Sequence, residues 1–360
     1  MAGWQVREAN PAEYEAIRAR MGGIFAEVGG QKVTAFGRAL WEWQYLKEDF
    51  PAVIVVADDG GDLCGYFHLP IFPMRYGDRE TRAAVTLDLG TLPAYRRQGM
   101  MRALDTFGRE LLAQRGVEVV YGFPHDISFK GFTGKGAYSL VTKMPIYVRP
   151  LNFGRLLAGP LRLGPFGKAL GAIAGPLYRA ARVRTVAVAP PAEVVPLERF
   201  DDGIDALSAE FAASVRIGLR RTARYLNWRF FEKPSREYTA WGLRRDGRLR
   251  AYVVTRVAQF FGADSLVLVD LGCARGEEQA LLALVGARLA AGEQDGLGLS
   301  LTIGLHPVFT RLSAVGFVRV PERLTPRLRY FVAGGLSPAV GAELLDPEGW
   351  LVTLADWDVM

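Results

Sequence analysis

Between residues 92 and 104 the chain reads Leu-Pro-Ala-Tyr-Arg-Arg-Gln-Gly-Met-Met-Arg-Ala-Leu, which sets Arg96, Arg97 and Arg102 around Gly99. An apolar strand pattern at 85–90 precedes this run, and a helical pattern at 100–115 follows it. A strand that turns into a helix through a basic, glycine-containing loop presents free backbone N–H groups and the positive end of the helix dipole to an anion. The arginines add charge suited to a pyrophosphate, and Gly99 lets the backbone come close. Arg96, Arg97, Gln98, Gly99, Met100, Met101 and Arg102 are therefore read as a phosphate cradle. The alternative for the same residues is a solvated basic helix start.

Acid and base candidates lie nearby in the sequence. Asp88 sits inside an apolar strand, where a carboxylate is costly unless it is paired or faces a cleft. Beside the cradle it could take a proton from an ammonium substrate or hold that ammonium in place; otherwise it is a structural carboxylate. His125 and Asp126 follow a strand pattern at 117–123 and Glu27 lies in an early helical region. Each is a candidate base or substrate contact, set against a helix cap and a surface charge respectively. Cys64 and Cys273 lack partners at disulfide or zinc-ligand spacing and read as buried, reduced thiols, so no metal is implied. Ser128 lacks the glycine pattern of a nucleophile elbow, and nothing suggests a covalent intermediate.

The elements that position these residues occur twice. Leu40-Trp41-Glu42-Trp43-Gln44-Tyr45 is echoed by Tyr225-Leu226-Asn227-Trp228-Arg229-Phe230, and a hairpin pattern follows each, turning at 58–61 and at Asp246-Gly247. Val-Thr-Leu-Asp-Leu-Gly at 85–90 returns as Val-Leu-Val-Asp-Leu-Gly at 267–272. The offsets are 185 from Trp43 to Trp228, 182 from Asp88 to Asp270 and 180 from Gly136 to Gly316. A helix, a strand, a short helix and a closing strand complete each half. This order predicts a mixed α/β sheet with flanking helices, built as two tandem duplicated domains.

On these residues the first half resembles the GNAT family of N-acetyltransferases, whose acyl-CoA loop reads Arg/Gln-x-x-Gly-x-Gly/Ala. Arg96-Arg97-Gln98-Gly99-Met100-Met101 matches it, with Met101 in place of the last small residue. The resemblance implies acetyl-CoA or another acyl-CoA as co-substrate and a small-molecule amine as acceptor. It further implies that Leu89, Gly90 and Thr91, in the splayed strand 87–91, meet the pantetheine arm and polarise the thioester. Phe132 stands where many relatives have the tyrosine that protonates the leaving thiolate. A phenyl ring cannot do that, so water, Ser128 or Tyr138 remains for the task. In the second half the matching loop reads Cys273-Ala274-Arg275-Gly276-Glu277-Glu278, where two acids suit the helix dipole but repel phosphate. That half is expected to be a degenerate GNAT-like domain, with residues 350–358 as a lid or an edge strand.

The division expected from these signals is a CoA-binding domain at 1–150, a connector at 151–190 and the degenerate domain at 191–360. Half the 360 residues are hydrophobic and 23% are charged, the balance of a folded chain rather than a disordered one. The net charge of +6 is concentrated in the connector, which holds Arg155, Arg162, Lys168, Arg179, Arg182 and Arg184 and no acid. Pro160, Pro165 and Pro176 are expected to break it into short helices. It reads first as a packed linker, with contact to anionic lipid as the less favoured alternative. No nucleic-acid signal appears, the first ten residues lack the apolar run of a signal or anchor, and a cytoplasmic location is expected. The oligomeric state is left open.

Overall fold

Apolar residues on both sides of tight turns fold into two hairpins of the same design. The first joins Phe50–Asp59 to Asp62–Tyr76 through Gly60 and Gly61; the second joins Thr239–Arg245 to Arg248–Phe260 through Asp246 and Gly247, and all four turn residues have positive φ. The computed structural model describes residues 3–29, 37–134, 137–158, 163–184, 186–188, 190–212, 214–234, 237–260, 262–325 and 329–357. Gly136, used above in the repeat spacing, lies outside them. The chain divides into two units, Met1–Lys143 with Arg327–Pro347, and Met144–Pro326 with Glu348–Met360.

In the first unit the sheet runs Gln5–Glu8, Phe50–Asp59, Asp62–Tyr76, Arg79–Val85, Val119–Gly122, Tyr330–Gly335, Ser139–Lys143. Arg79–Val85 and Val119–Gly122 pair in parallel. Successive residues of Phe50–Asp59 point to opposite faces, and both faces are buried. Val53, Val55 and Ala57 pack with Phe67, Leu104 and Leu112, the last two from the helix Met100–Gln114. Ile54 and Val56 pack on the other face with Ile17, Met21, Trp41 and Tyr45, from the helices Tyr14–Gly29 and Arg38–Tyr45.

The expected strand at 85–90 is interrupted, and the interruption opens the sheet. Parallel pairing ends at Val85 opposite Tyr121, with Thr86 N–H donating to the Tyr121 carbonyl at 2.8 Å. The chain resumes as Leu87–Thr91, which pairs only with Asp62–Tyr76: Leu87 lies opposite His68 and Gly90 opposite Tyr66. Two residues, Asp88 and Leu89, thus face the single Phe67, a β-bulge, and Asp88 takes it up with a φ of 44°. Among the described residues no strand pairs with the other edge of Leu87–Thr91, so the sheet parts there and leaves backbone groups available.

The second unit repeats the plan as Glu193–Leu197, Thr239–Arg245, Arg248–Phe260, Ala263–Cys273, Leu299–Ile303, Ile146–Pro150, Val318–Arg319. Ala263–Cys273 and Leu299–Ile303 pair in parallel, again the strand after the hairpin with the one after the helix, here Glu278–Gln294. The order of elements in the two units is that of a duplicated mixed α/β domain. The next-to-last strand of each sheet comes from across the sequence midpoint, Ile146–Pro150 joining the second and Tyr330–Gly335 the first. The units therefore cut the chain at 143 and between 326 and 348, not at 150 and 190. The connector also differs from expectation: it forms Phe153–Ala158 and one long helix, Gly164–Arg182, with Pro165 in its first turn and Pro176 inside. Pro176 and Ala172, whose carbonyl it leaves without its helical donor, are both exposed, so the break falls on the solvent side of the helix.

Candidate active site

The helix Met100–Gln114 begins without a side-chain cap. Its N-cap is Gly99, with a φ of 85°, and Arg97 two residues earlier has a φ of 64°. Two left-handed residues so close together fold the loop into a concave array of N–H groups, which the start of the helix extends. A Cβ at position 99 would meet nothing within 4 Å, so the glycine serves the backbone angle and the approach of a ligand, not crowding by protein. Arg96, Arg97, Gln98, Gly99 and Arg102 are exposed. Among the described residues no carboxylate pairs with any of the three arginines. Gln98 fastens the loop, donating to the Ala94 carbonyl at 3.0 Å and accepting from the Trp4 indole at 3.3 Å. Met100 is buried, while Met101, the departure from the loop pattern, turns toward Gly131, whose missing Cβ would stand 2.6 Å from the Met101 sulfur. Its bulk is therefore taken up by a neighbouring helix.

Asp88 projects from the bulge at the head of the parted strand. The Tyr45 hydroxyl donates to its Oδ2, and His68 Nδ1 lies 3.6 Å from the same oxygen. Among the described residues Oδ1 has no hydrogen bond, and the side chain is 15% exposed, so one oxygen is held and the other can receive a proton. His68 is wholly buried, with neither ring nitrogen hydrogen-bonded to a described residue. Its ring lies 4.4 Å from that of Tyr45, 5.6 Å from Tyr66 and 6.2 Å from Trp41. Burial and the Asp88 charge push the Tyr66 phenol up, so it stays protonated. Gly90 is required by the same packing: a Cβ there would lie 2.5 Å from the Tyr66 oxygen. Leu89, Gly90 and Thr91 are half-buried along the free edge.

Tyr45 and His68 were not singled out from the sequence. A signal existed for each: Tyr45 belongs to the repeated aromatic helix, and His68 is one of three histidines, set in the run Tyr66-Phe67-His68-Leu69.

The remaining candidates are more dispersed. His125 and Asp126 are exposed at the start of Asp126–Thr133, and His125 occupies the N-cap without a capping bond. They follow Val119–Gly122 at the end where it leaves the parallel pair, but neither touches Asp88. Glu27 is on Tyr14–Gly29, which packs against Leu87–Thr91; its side chain lies outside the described residues. Phe132 belongs to the core, its ring 6.3 Å from Phe67 and 5.1 Å edge-on from Tyr138. Tyr138 does not suit the acid role: its buried hydroxyl donates to Asp105 at 2.8 Å, and burial beside that carboxylate pushes it far up. Ser128, half-buried, donates to the His125 carbonyl at 3.2 Å.

At the repeat position in the second unit, Asp270 is held on every side. Arg221 Nε is 3.2 Å from Oδ2, Tyr252 donates to Oδ2 at 2.9 Å and Thr353 to Oδ1 at 2.8 Å. Arg221 also grips Asp356 through two nitrogens at 2.8 and 2.6 Å. Ser265–Cys273 is buried throughout. The following loop carries Glu277, paired with Arg245 at 3.1 Å, in place of a basic cradle. Residues 350–357 form neither lid nor edge strand. They run inside the unit, with backbone bridges from Trp350 to Ile217 and Val352 to Leu305; Asp358 lies outside the described residues.

A bulged strand with a free edge leads into an uncapped helix start flanked by Arg96, Arg97 and Arg102. Residues 5–139, within the first unit, match the family model described as the acetyltransferase (GNAT) domain. Solved structures agree in fold. A probable N-acyltransferase from Enterococcus faecalis aligns over 93% of this chain and 72% of its own, at 13% identity and a TM-score of 0.62. A GCN5-related N-acetyltransferase from Anabaena variabilis aligns over 93% and 73%, at 9% identity and a TM-score of 0.62. Comparison with curated proteins finds no match.

Proposed function

We propose that the first unit is an acyl-CoA-dependent N-acyltransferase, most simply an acetyltransferase, acting on a primary amine of a small molecule such as an amino sugar or a natural-product intermediate. The observation that carries this reading is the cradle: exposed amides at an uncapped helix start, with Arg96, Arg97 and Arg102 free to meet a pyrophosphate. Acyl-CoA supplies the thioester. The free edge of Leu87–Thr91 would bind the amide-bearing arm as an added strand does, and an N–H of Leu89, Gly90 or Thr91 would polarise the thioester carbonyl. Asp88 then takes the proton of the attacking amine at Oδ1, directly or through water, while Tyr45 holds Oδ2. A C–N bond forms and the C–S bond breaks. The thiolate is protonated by water or Ser128, since Tyr138 is engaged elsewhere. Positioning of the two reactants supplies most of the acceleration.

A second reading, CoA binding without turnover, is favoured by Phe132, which leaves the usual acid position without a hydroxyl. The two separate by assay. The protein is incubated with acetyl-CoA or longer acyl-CoAs and a panel of primary amines, and thiol release and product mass are followed. Amine-dependent release that falls in Asp88→Asn supports the transferase. CoA binding with no release above background for any pair would leave a binding protein.

A further inference from the structure

The helix Gly164–Arg182 has the opposite sidedness from a helix that closes a core. Its buried residues are Gly167, Gly171 and Gly175, whereas Phe166, Ile173 and Leu177 are 70%, 64% and 66% exposed, with Leu170 at 42%. The glycines allow it to lie on Phe153–Ala158 backbone to backbone. A Cβ at Gly171 would stand 2.3 Å from the Gly154 nitrogen, and one at Gly167 2.7 Å from the Ala158 nitrogen. The far end is fixed too, with Arg184 N–H donating to the Ala314 carbonyl at 2.8 Å. At about 100° per residue, Phe166, Leu170, Ile173 and Leu177 fall within roughly 60° of one another, on the side away from the glycines. A surface helix ordinarily turns such a stripe inward, and a contiguous exposed one marks a docking surface.

Charge selects what docks. Residues 151–192 contain six basic residues and no acid. Arg155, Lys168 and Arg179 line a groove of about 490 Å³ between the two helices. Its one acid, Glu293, is engaged by Arg149 at 2.7 Å and lies 3.8 Å from Arg179. At the same 100° per residue, Lys168 and Arg179 fall on the face opposite the apolar stripe, the sidedness of a helix that lies in a lipid interface with its bases among the headgroups. An anionic lipid surface brings the opposite charge together with an apolar layer. Among the described residues no helix is long and apolar enough to cross a membrane, so the helix would lie along the surface.

We propose that Gly164–Arg182 docks the protein on an anionic phospholipid membrane, with Phe166, Leu170, Ile173 and Leu177 entering the acyl boundary and Arg155, Lys168 and Arg179 at the level of the headgroup phosphates. The test is co-sedimentation of the full chain with phosphatidylcholine vesicles, with and without phosphatidylglycerol, at low and high salt. The expected result is binding to the anionic vesicles alone, weakened by salt. Partition should fall by about tenfold or more in Ile173→Glu/Leu177→Glu, because two large apolar contacts are replaced by like charges to the lipid. Both sites are exposed, so the variant should keep the wild-type melting curve. Failure of the wild-type chain to bind anionic vesicles would overturn the proposal, as would binding unchanged in the variant. A wild-type oligomer that the variant converts to monomer would also overturn it, by making the stripe a contact between copies.

Discussion

Asp88 and Asp270 occupy corresponding positions in the two units, and their surroundings differ in how far protein partners satisfy the carboxylate. Each follows a hairpin whose second strand places a tyrosine opposite a glycine, Tyr66 with Gly90 and Tyr252 with Gly272, and each lies at an irregularity of strand pairing. Around Asp88 the partners are neutral or weakly basic, one carboxylate oxygen is free, and the neighbouring edge is open. Around Asp270 a guanidinium, a phenol and a hydroxyl satisfy the carboxylate, and Thr353 and Asp356 come from the segment that fills the interior. The acid is present in both halves. What separates a reactive carboxylate from a structural one is whether its charge is already neutralised by fixed protein partners.

Substitution should expose that difference. Asp88→Asn should lower kcat by about 10²–10⁴-fold, the usual range for loss of a general base, with little change in melting temperature. Steady-state kinetics beside a thermal melt checks both parts. Arg221→Met should do the reverse. It leaves Asp270 and Asp356 buried together without their cation, and urea denaturation should show a loss of about 3–5 kcal/mol.

A smaller effect distinguishes the second unit by pH. His306 accepts from Val308 N–H through Nδ1 at 3.3 Å, which leaves Nε2–H to donate to the Ser214 carbonyl at 3.2 Å. Burial holds its pKa below the ordinary 6.5. The fold favours the neutral ring, so its contribution to stability is present above pH 6.5. That contribution is lost as the pH falls toward the depressed folded value, since the unfolded chain takes up the proton first. His306→Gln should flatten that part of the stability curve. The smallest effect concerns the thiols. Burial raises Cys64 to about 11 and Cys273 to about 12, so both should resist a thiol reagent at pH 8 and react on denaturation.

Much of this was legible in the sequence where local rules govern. The hairpin turns, the glycine-led start of the helix Met100–Gln114 and the matching order of elements in the two units rest on glycine geometry, helix ends and apolar spacing, and the elements formed where those rules put them. Three features were not legible because they depend on partners far along the chain. The exchange of Ile146–Pro150 and Tyr330–Gly335 between the sheets is a matter of which edge a strand reaches. Unbroken passage through Pro176 depends on that residue facing water. The setting of Asp88 depends on Tyr45 and His68, 43 and 20 positions away, and nothing in the spacing of a lone histidine reveals an acid across the ladder.

Calorimetric titration of the purified chain with acetyl-CoA tests most directly whether the first unit holds acyl-CoA at the arginine-flanked helix start. The prediction is a Kd on the order of micromolar for the wild-type chain, lost in Arg96→Ala/Gly99→Glu, which removes one charge and sets another of the wrong sign on the exposed amides. No binding by the wild type, with acetyl-CoA or a longer acyl-CoA, would contradict it, and so would binding that the double variant leaves unchanged.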